Sequence, residues 1–580
     1  MTKIQAVLIA AFIAVTPTSG ALAQQDPYLW LEEVEGAQAV AWAKAQNEHS
    51  TSRLATVPEY EPILKEITQI LDSQDKIPGI SFMGPYVYNF WQDAVHVRGI
   101  WRRTSIESYS TETPAWELVL DLDALSERES TNWVWKRASC LWPNHRHCML
   151  SLSRGGADAS VWREFDTFAK GFVPSGFDLP EAKSTVSWRD KDTLWVATDF
   201  GEGSLTASGY PRVARLWSRG TPLAEATTVF EGRTDDVAVS AYSAYTPEGR
   251  YDLVSQIPAF FRENTYLRLG GRYVKLDLPS DASFRGIFAN RLLVSLRTPW
   301  ETDGATRPAD ALLAIDLDAF LLGDRAFDTL FEPGERIALD SVAATRDAVV
   351  ISVLDNVRSR VYRLRPEDGG WARTEIELPG LGTVSIGSAS DFDERFLLYY
   401  TDLLTPSGLY SVAGDAKLNN LKTSPVWFDS EGMTTTQHEA VSKDGTHIPY
   451  FIVFPQDFDA DGTTPTLLYG YGGFEISMQP TYSGVTGRAW LERGGAGCSR
   501  TYAAEASSAR PGTRPRSKRT GNAHTTTSSR SLRISSHETS HHRETWALWA
   551  APTADYSWGR LSHNVPICSG RSYARSLCST

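Results

Sequence analysis

The sequence lacks the features that would suit it to nucleic acid or to a membrane-spanning role. Acidic residues outnumber basic ones, and the formal net charge of −13 over 580 residues disfavours nucleic acid and anionic membrane surfaces as partners. The apolar run over residues 4–15 is shorter than the roughly 20 residues needed to cross a bilayer, and no later run qualifies. We therefore predict no nucleic-acid partner and no stable membrane span.

Metal-binding patterns are also absent. His541 and His542 are adjacent, but no carboxylate or cysteine spacing completes a site around them. His145, His147 and Cys148 lie in a strand-like segment, where alternate side chains face solvent and core. We predict no metal and no cofactor.

The last part of the chain, residues 496–580, has little with which to build a core. It contains no phenylalanine and one valine, Val565, while twelve Lys or Arg residues face four acidic residues. A stretch rich in Ser, Thr and Arg buries too little apolar surface to fold by itself. We expect this tail to lack a native fold.

The rest of the chain has the composition of a soluble globular protein, with 42% hydrophobic and 22% charged residues. A chain of this length is too long for one hydrophobic core, so two large domains are expected.

The N-terminus resembles a secretory signal. Lys3 precedes the apolar run, and Ala-Leu-Ala at residues 21–23 provides a cleavage site after Ala23. A short membrane anchor is the alternative. Export would place the protein in the periplasm or outside the cell, where Cys140 and Cys148 could pair if they lie on neighbouring strands. Two buried thiols remain equally compatible with the sequence.

Two different patterns of apolar residues follow the signal. Residues 24–75 show apolar residues at helical spacing, such as Ile63, Ile67 and Leu71, which predicts a helical arm. Residues 76–425 show short alternating apolar runs between turns, and comparable units recur every 40 to 60 residues or so. These units are residues 147–156, 192–203, 250–258, 290–298, 347–356 and 395–404. We predict a β-propeller of seven blades, since a β-sandwich interpretation would need several sandwiches.

Residues 426–495 predict the start of an α/β sheet. A hairpin with Asp444 and Gly445 at its turn precedes an apolar strand that ends in a glycine-rich turn, residues 464–474. A short helix is expected around residues 488–492.

The motifs DPYLWLE (residues 26–32), LLYGYGGFEIS (467–477) and WLERGG (490–495) resemble the prolyl oligopeptidase family. The resemblance covers residues 26–495. It implies a β-propeller on an α/β-hydrolase domain built from both chain ends, with a Ser-Asp-His triad that cleaves short peptides after proline. It also implies that Tyr471 helps to form the oxyanion hole and that Phe474 lines the proline pocket. Without the resemblance, these residues are an aromatic pair in a glycine turn.

The nucleophile of that family is missing. No Gly-x-Ser-x-Gly elbow occurs in the sequence. However, synonymous codons for residues 497–510, read from the third base of the first codon, spell VFANVRGGGEFGP. In the same frame, residues 547–557 spell IMGGSNGGLL, and the serine of this elbow falls across the codons of Ala551 and Pro552. We therefore predict a frameshift near residue 496 and an out-of-frame tail over residues 496–580.

The translated chain is thus expected to lack the serine, and to end before the aspartate and histidine of the triad would appear. Our prediction is a prolyl oligopeptidase-like serine endopeptidase, inactive as written. The alternative is a non-catalytic propeller that binds partners through its loops. The shifted reading frame accounts for the basic composition of the tail, and export would separate the protein from nucleic acid, so a nucleic-acid role for the tail is disfavoured. The sequence leaves open the peptide specificity, the oligomeric state and whether the frameshift is a sequencing error or a real pseudogene.

Overall fold

The computed structural model describes residues 26–33, 36–380, 382–443, 445, 447–470, 478–500 and 546–550. The described residues up to Lys65 belong to one compact unit, and those from Glu66 onward belong to a second. The first unit contains a 3-10 helix, Leu29–Glu32, and helix α1, Ala37–Leu54, and the ring of Trp30 meets the edge of the Trp42 ring at 6.4 Å. Helix α2, Tyr60–Leu71, carries the predicted apolar spacing and continues into the second unit. Of the helices in these ranges, none is both long and apolar enough to cross a membrane.

The second unit begins with seven antiparallel sheets, each built from consecutive strands. Blade 1 contains β1 Ser81–Met83, β2 Tyr86–Trp91, β3 Ile100–Thr104 and β4 Glu117–Asp121, and blade 2 contains β5 Trp133–Cys140, β6 His147–Arg154, β7 Ser160–Asp166, β8 Gly171–Phe172 and β9 Asp178–Ala182. Blade 3 contains β10 Thr185–Asp190, β11 Thr193–Ala197, β12 Val213–Ser218 and β13 Thr227–Glu231. Blade 4 contains β14 Ala238–Thr246, β15 Gly249–Ala259, β16 Arg262–Leu269 and β17 Arg272–Lys275.

Blade 5 contains β18 Ser283–Phe288, β19 Arg291–Ser295, β22 Leu312–Asp316 and β23 Asp328–Phe331, and a side hairpin, β20 Trp300–Thr302 and β21 Ala305–Arg307, lies between β19 and β22 in the chain. Blade 6 contains β24 Ile337–Ala344, β25 Val349–Asp355, β26 Arg358–Glu367 and β27 Gly370–Ile376. Blade 7 contains β28 Thr383–Ala389, β29 Phe396–Thr401, β30 Gly408–Val412 and β31 Leu418–Thr423. Short helices connect some strands: α3 Ile106–Tyr109, α4 Leu122–Glu129, α5 Leu317–Leu321 and the 3-10 helix Leu223–Glu225.

The second strand of each blade supplies the core on both of its faces. Leu292 of β19 packs into the cluster shared with blade 4, whereas its neighbour Leu293 packs into the cluster shared with blade 6. Successive side chains of a strand point to opposite faces, so an unbroken apolar run fills two interfaces at once. Seven such clusters join each blade to the next around the ring. The predicted seven-bladed propeller is confirmed.

The ring closes by side-chain packing between blades 7 and 1. Leu397 and Leu409 of blade 7 pack with Val87 and Tyr109 of blade 1. Hydrogen bonds add to this contact, among them one from the backbone N–H of Phe82 to Oγ of Ser388 at 3.0 Å and one from Nζ of Lys422 to the carbonyl of Thr111. Each blade is built from one continuous stretch of chain, so among the described residues no strand exchanged between the chain ends reinforces this seam.

A mixed sheet follows the propeller. Its strands are β32 Thr434–Val441, β33 His447–Phe454, β34 Thr466–Gly470, β35 Ala496–Arg500 and β36 Trp546–Ala550, in the spatial order β32-β33-β35-β34-β36. The first two strands form an antiparallel hairpin, and β34 runs parallel to both β35 and β36. Helix α6, Gly484–Ala489, and a 3-10 helix, Leu491–Arg493, lie between β34 and β35 in the chain.

Local sequence explains the details of this sheet. At the predicted hairpin turn, Gly445 has a φ of +86° and donates its N–H to the carbonyl of Ser442 at 3.0 Å, while Asp444 lies outside the described residues. The helix begins before residue 488 because Ser483 caps it, accepting a hydrogen bond from the N–H of Thr486 at 3.2 Å.

The structure moves the predicted boundary of the ordered region. We expected native order to end at Gly495, but Ala496–Arg500 is a strand in the middle of the sheet. Ala496 and Cys498 are buried there, and their small side chains fit beneath the neighbouring strands. Trp546–Ala550 also forms a strand, although it belongs to the predicted tail.

Helix α6 packs closely against the segment that connects the propeller to the sheet. A Cβ atom added at Gly487 would lie 1.9 Å from Cδ1 of Phe428, whose ring is buried. The position therefore needs glycine.

We expect Gly487→Ala to lower the free energy of unfolding by about 1 to 3 kcal/mol, the usual cost of overpacking a dense interior. Thermal and urea unfolding of purified protein measure this. Gly370→Ala is the control, because a Cβ there meets no atom within 4 Å. Equal stability of the two variants would contradict the assigned packing.

Candidate active site

The carboxyl ends of two parallel strands meet at one edge of the mixed sheet. Gly470, the last residue of β34, pairs with Ala550, the last residue of β36. Tyr471 directly follows the first strand, and the codons that spell the elbow serine in the shifted frame directly follow the second. Loops after parallel strands build the sites of α/β proteins, so both candidates belong to the same edge. Tyr471, Phe474 and the elbow positions themselves lie outside the described residues.

The segment after the glycine-rich turn is held against blade 7 of the propeller. The Thr383 hydroxyl donates to the carbonyl of Pro480 at 2.6 Å, and the N–H of Tyr482 donates to Oγ1 of Thr401 at 3.2 Å. The ring of Tyr482 stacks on Phe428 with centroids 5.0 Å apart. Its hydroxyl accepts a hydrogen bond from the N–H of Trp427, and burial raises the pKa of this phenol. The segment from Pro480 to Tyr482 is therefore anchored to the propeller and to the connection that follows it.

A carboxyl group of the propeller reaches the same segment. Asp340, at a bulge in β24, accepts a hydrogen bond from the Ser352 hydroxyl at 2.7 Å and one from the side chain of Gln479. Asp340 as a residue is exposed to solvent, whereas its carboxyl group lies among neighbouring protein atoms that partly desolvate it. This burial raises its pKa, and the two hydrogen bonds offset only part of the rise. Asp340 thus links the inner wall of the propeller to Gln479, in the segment after the glycine-rich turn.

A cavity of about 320 Å³ lies between blades 6 and 7 and the sheet. Its walls include the charged residues Arg358 and Asp402, the polar residues Thr435 and Gln437, and Phe451 and Pro480. A volume of this order is at the lower end of those that small ligands occupy. The cavity can hold a short segment of a peptide, with opposite charges available on its wall.

Two further contacts fasten the sheet to blade 6. The side-chain amide of Gln437 donates to the carbonyl of Asn356 at 2.8 Å. Arg336 pairs with Glu439, which also accepts a hydrogen bond from His447. The propeller residues in these contacts lie at the ends of the second strands or the starts of the first strands of their blades. This face of the propeller therefore covers the sheet.

The metal candidates from the sequence have other roles. Cys140 and Cys148 form a disulfide bond with their Cα atoms 4.0 Å apart on β5 and β6, which decides between the two alternatives left open by the sequence. Nδ1 of His147 lies 3.1 Å from the buried carboxylate of Glu164. His145 lies in the loop between the two strands, outside any regular element. In the part of the chain that the structure describes, no three His, Cys, Asp or Glu side chains are grouped to hold a metal. His541 and His542 are outside that part.

Known proteins share this architecture. A family model described as "Prolyl oligopeptidase, N-terminal beta-propeller domain" matches residues 17–270 and 300–423. An uncharacterized peptidase of Sinorhizobium fredii is 36% identical over 503 residues, which cover 85% of this chain and 69% of that protein. A prolyl endopeptidase of Elizabethkingia miricola is 25% identical over 490 residues, covering 81% of this chain and 64% of that one.

Among solved structures, a post-proline cleaving enzyme from Rickettsia typhi superposes with a TM-score of 0.82 at 26% identity, covering 89% of this chain and 78% of the other. A seven-bladed propeller on the first strands of an α/β-hydrolase sheet defines the class of propeller-covered peptidases. This chain belongs to the prolyl oligopeptidase family. In the part of the chain that the structure describes, its α/β-hydrolase domain comprises the five strands of the mixed sheet and two short helices.

The sequence did not single out Asp340, Gln479 or Thr383. Asp340 is a charged residue inside the apolar strand IALDSVAA, which is the one signal that could have drawn attention to it. Its partners come from β25 and from a segment more than a hundred residues later, so only the fold brings them together.

We expect Asp340→Asn to raise the melting temperature at pH 7 and to leave it unchanged near pH 3. The folded state binds the carboxyl proton of Asp340 more tightly than the unfolded state does, because burial raises the pKa of this group. Ionisation above the ordinary pKa of about 4 therefore costs stability, and the amide removes that cost.

Circular dichroism melts at both pH values test this, with Asp459→Asn, which removes an exposed carboxylate, as the control. A lower melting temperature for Asp340→Asn at pH 7 would show that the carboxylate stabilises the fold and would contradict the assignment.

Proposed function

We propose that this gene encodes a serine endopeptidase that cleaves short peptides after proline, and that the chain as written is inactive because a frameshift near residue 496 removes its nucleophile. The observation that carries the proposal is the pairing of Gly470 with Ala550. The strand that precedes Tyr471 and the strand that precedes the shifted-frame elbow are parallel neighbours ending at the same level. A peptidase of this class needs its oxyanion donor and its serine side by side.

The chemistry follows from this juxtaposition. A serine hydroxyl is a weak nucleophile until a histidine takes its proton, and a carboxylate orients that histidine. The hydroxyl attacks the peptide carbonyl, whose oxygen becomes negatively charged. The phenol O–H of Tyr471 and the backbone N–H after the serine donate hydrogen bonds to that oxygen. When the tetrahedral intermediate collapses, the peptide C–N bond breaks and the histidine gives the proton it took from the serine to the leaving amine. Water, deprotonated by the histidine, then attacks the acyl-enzyme, and release of the new carboxyl end returns the proton to the serine hydroxyl.

Proline specificity is supported by the relatives and by one residue. The similar proteins include a prolyl endopeptidase and a post-proline cleaving enzyme. Phe474 matches the aromatic residue that forms a wall of the proline pocket in this family. The propeller, which covers the sheet, would admit only short peptides.

A non-catalytic binding role is the second candidate for the chain as written. All seven blades and all seven interfaces between them are formed within residues 81–423, before the frameshift. A complete propeller can bind partners through its loops without any chemistry.

We also propose that the protein is exported and that residues 1–23 are its signal, a segment outside the described residues. The disulfide between Cys140 and Cys148 supports this, because such bonds persist in oxidising compartments.

The 580-residue protein should not hydrolyse a chromogenic Gly-Pro substrate. Insertion of one base between the codons of Gly494 and Gly497, in a gene that keeps the downstream DNA encoding the triad aspartate and histidine, should restore activity. In the restored enzyme, Tyr471→Phe should lower kcat by about 10²- to 10³-fold, because one oxyanion donor is lost. Steady-state kinetics measure both effects.

Substrate with alanine in place of proline is the matched control for specificity. Turnover by the 580-residue chain would contradict its inactivity. A restored enzyme that prefers alanine would contradict the proline assignment while leaving the peptidase assignment intact.

A further inference from the structure

The loop between β5 and β6, residues 141–146, reaches blades that are not neighbours of its own. The Trp142 ring lies between two other rings, stacked on Tyr245 of blade 4 at 5.7 Å and on Phe392 of blade 7 at 6.1 Å. His145 of the same loop meets Phe392 edge-on at 6.4 Å. Blade 2 borders only blades 1 and 3, so a loop that touches blades 4 and 7 must lie over the central channel.

This loop lies on the face of the propeller opposite the mixed sheet. The sheet contacts the starts of first strands and the ends of second strands, as at Thr383 and Thr401. Trp142, Tyr245 and Phe392 lie at the opposite ends, where first strands finish and second strands begin. The two sets of residues therefore mark the two mouths of the channel.

The loop is held in shape at its base. The disulfide between Cys140 and Cys148 joins the two strands directly where the loop leaves them. Within the loop, the N–H of His145 donates to the carbonyl of Leu141 at 2.9 Å. The Thr167 hydroxyl donates to the carbonyl of His145 at 3.1 Å.

The two partner rings are fixed by other blades. The Tyr245 hydroxyl donates to the carbonyl of Arg189 in blade 3 at 2.7 Å, and burial raises the pKa of this phenol to about 12. Nη1 of Arg346 in blade 6 donates to the carbonyl of Phe392 at 2.8 Å. Hydrogen bonds from blades 3 and 6 thus fix the two rings on which Trp142 stacks.

We propose that residues 141–146 form a cap that closes the outer mouth of the propeller channel and holds blade 7 to blades 2 and 4 across the axis. The cap adds a contact across the axis to the seam between blades 7 and 1, which no exchanged strand among the described residues reinforces. If the proposed peptidase function is correct, peptides enter from the side of the mixed sheet and not through the propeller.

Hydrogen exchange of the 580-residue protein tests the cap without any need for activity. In Trp142→Ala, amide exchange should become about 10-fold faster in residues 390–395 and at the blade 7 to blade 1 seam, as expected for the loss of two stacked aromatic pairs. Blade 5, which the cap does not touch, should exchange as in the wild type.

Trp371→Ala is the matched control, because Trp371 packs on Phe288 at the junction of blades 5 and 6 and lies outside the cap. Unchanged exchange at residues 390–395 in Trp142→Ala, or an equal increase in Trp371→Ala, would overturn the proposal.

Closure of the mouth is tested separately by thiol labelling. Ser187→Cys places a thiol on the first strand of blade 3, two residues before the carbonyl that holds Tyr245, in a protein whose Cys498, Cys568 and Cys578 are replaced by serine. A maleimide should modify this thiol about 10-fold faster when Trp142 is also replaced by alanine. Equal rates with and without Trp142 would show that the mouth is already open and would refute the cap.

Discussion

The burial of each blade's second strand on both faces is the constraint on which the rest of this structure depends. A strand such as β25 sends Val349 toward blade 5 and its neighbour Val350 toward blade 7, so each strand is core for two interfaces. The ring of blades follows, because every blade can satisfy its apolar faces only between two others. The ring in turn presents the starts of its first strands to the mixed sheet and positions Asp340, Thr383 and the cavity beside Gln479 and Pro480.

The same constraint explains what the sequence could and could not predict. The six recurring units found by inspection correspond to β6, β11, β15, β19, β25 and β29, which are the second strands of blades 2 to 7. They were visible because two-sided burial demands an unbroken apolar run. Blade 1 escaped notice because its second strand, YVYNFW, carries aromatic and polar residues in place of aliphatic ones. The count of seven could be inferred only from length.

Contacts between distant segments were beyond the reach of sequence reasoning. Nothing in the order of residues indicates that Trp142 meets Phe392, or that Asp340 meets Gln479, because both pairs depend on the closed ring. The pairing of Cys140 with Cys148 needed the register of β5 and β6. By contrast, the hairpin turn at Gly445 and the short helix capped by Ser483 were predictable from local spacing, since both residues act on their immediate neighbours.

We propose that the catalytic serine belongs at the end of β36 and is lost from the chain as written. Mass spectrometry of the protein from the frame-restored gene, after reaction with a fluorophosphonate, tests this most directly. The account predicts one labelled residue, the serine encoded across the present codons of Ala551 and Pro552, and no label on the 580-residue chain. A label on any other residue, or on the unrestored chain, would contradict it.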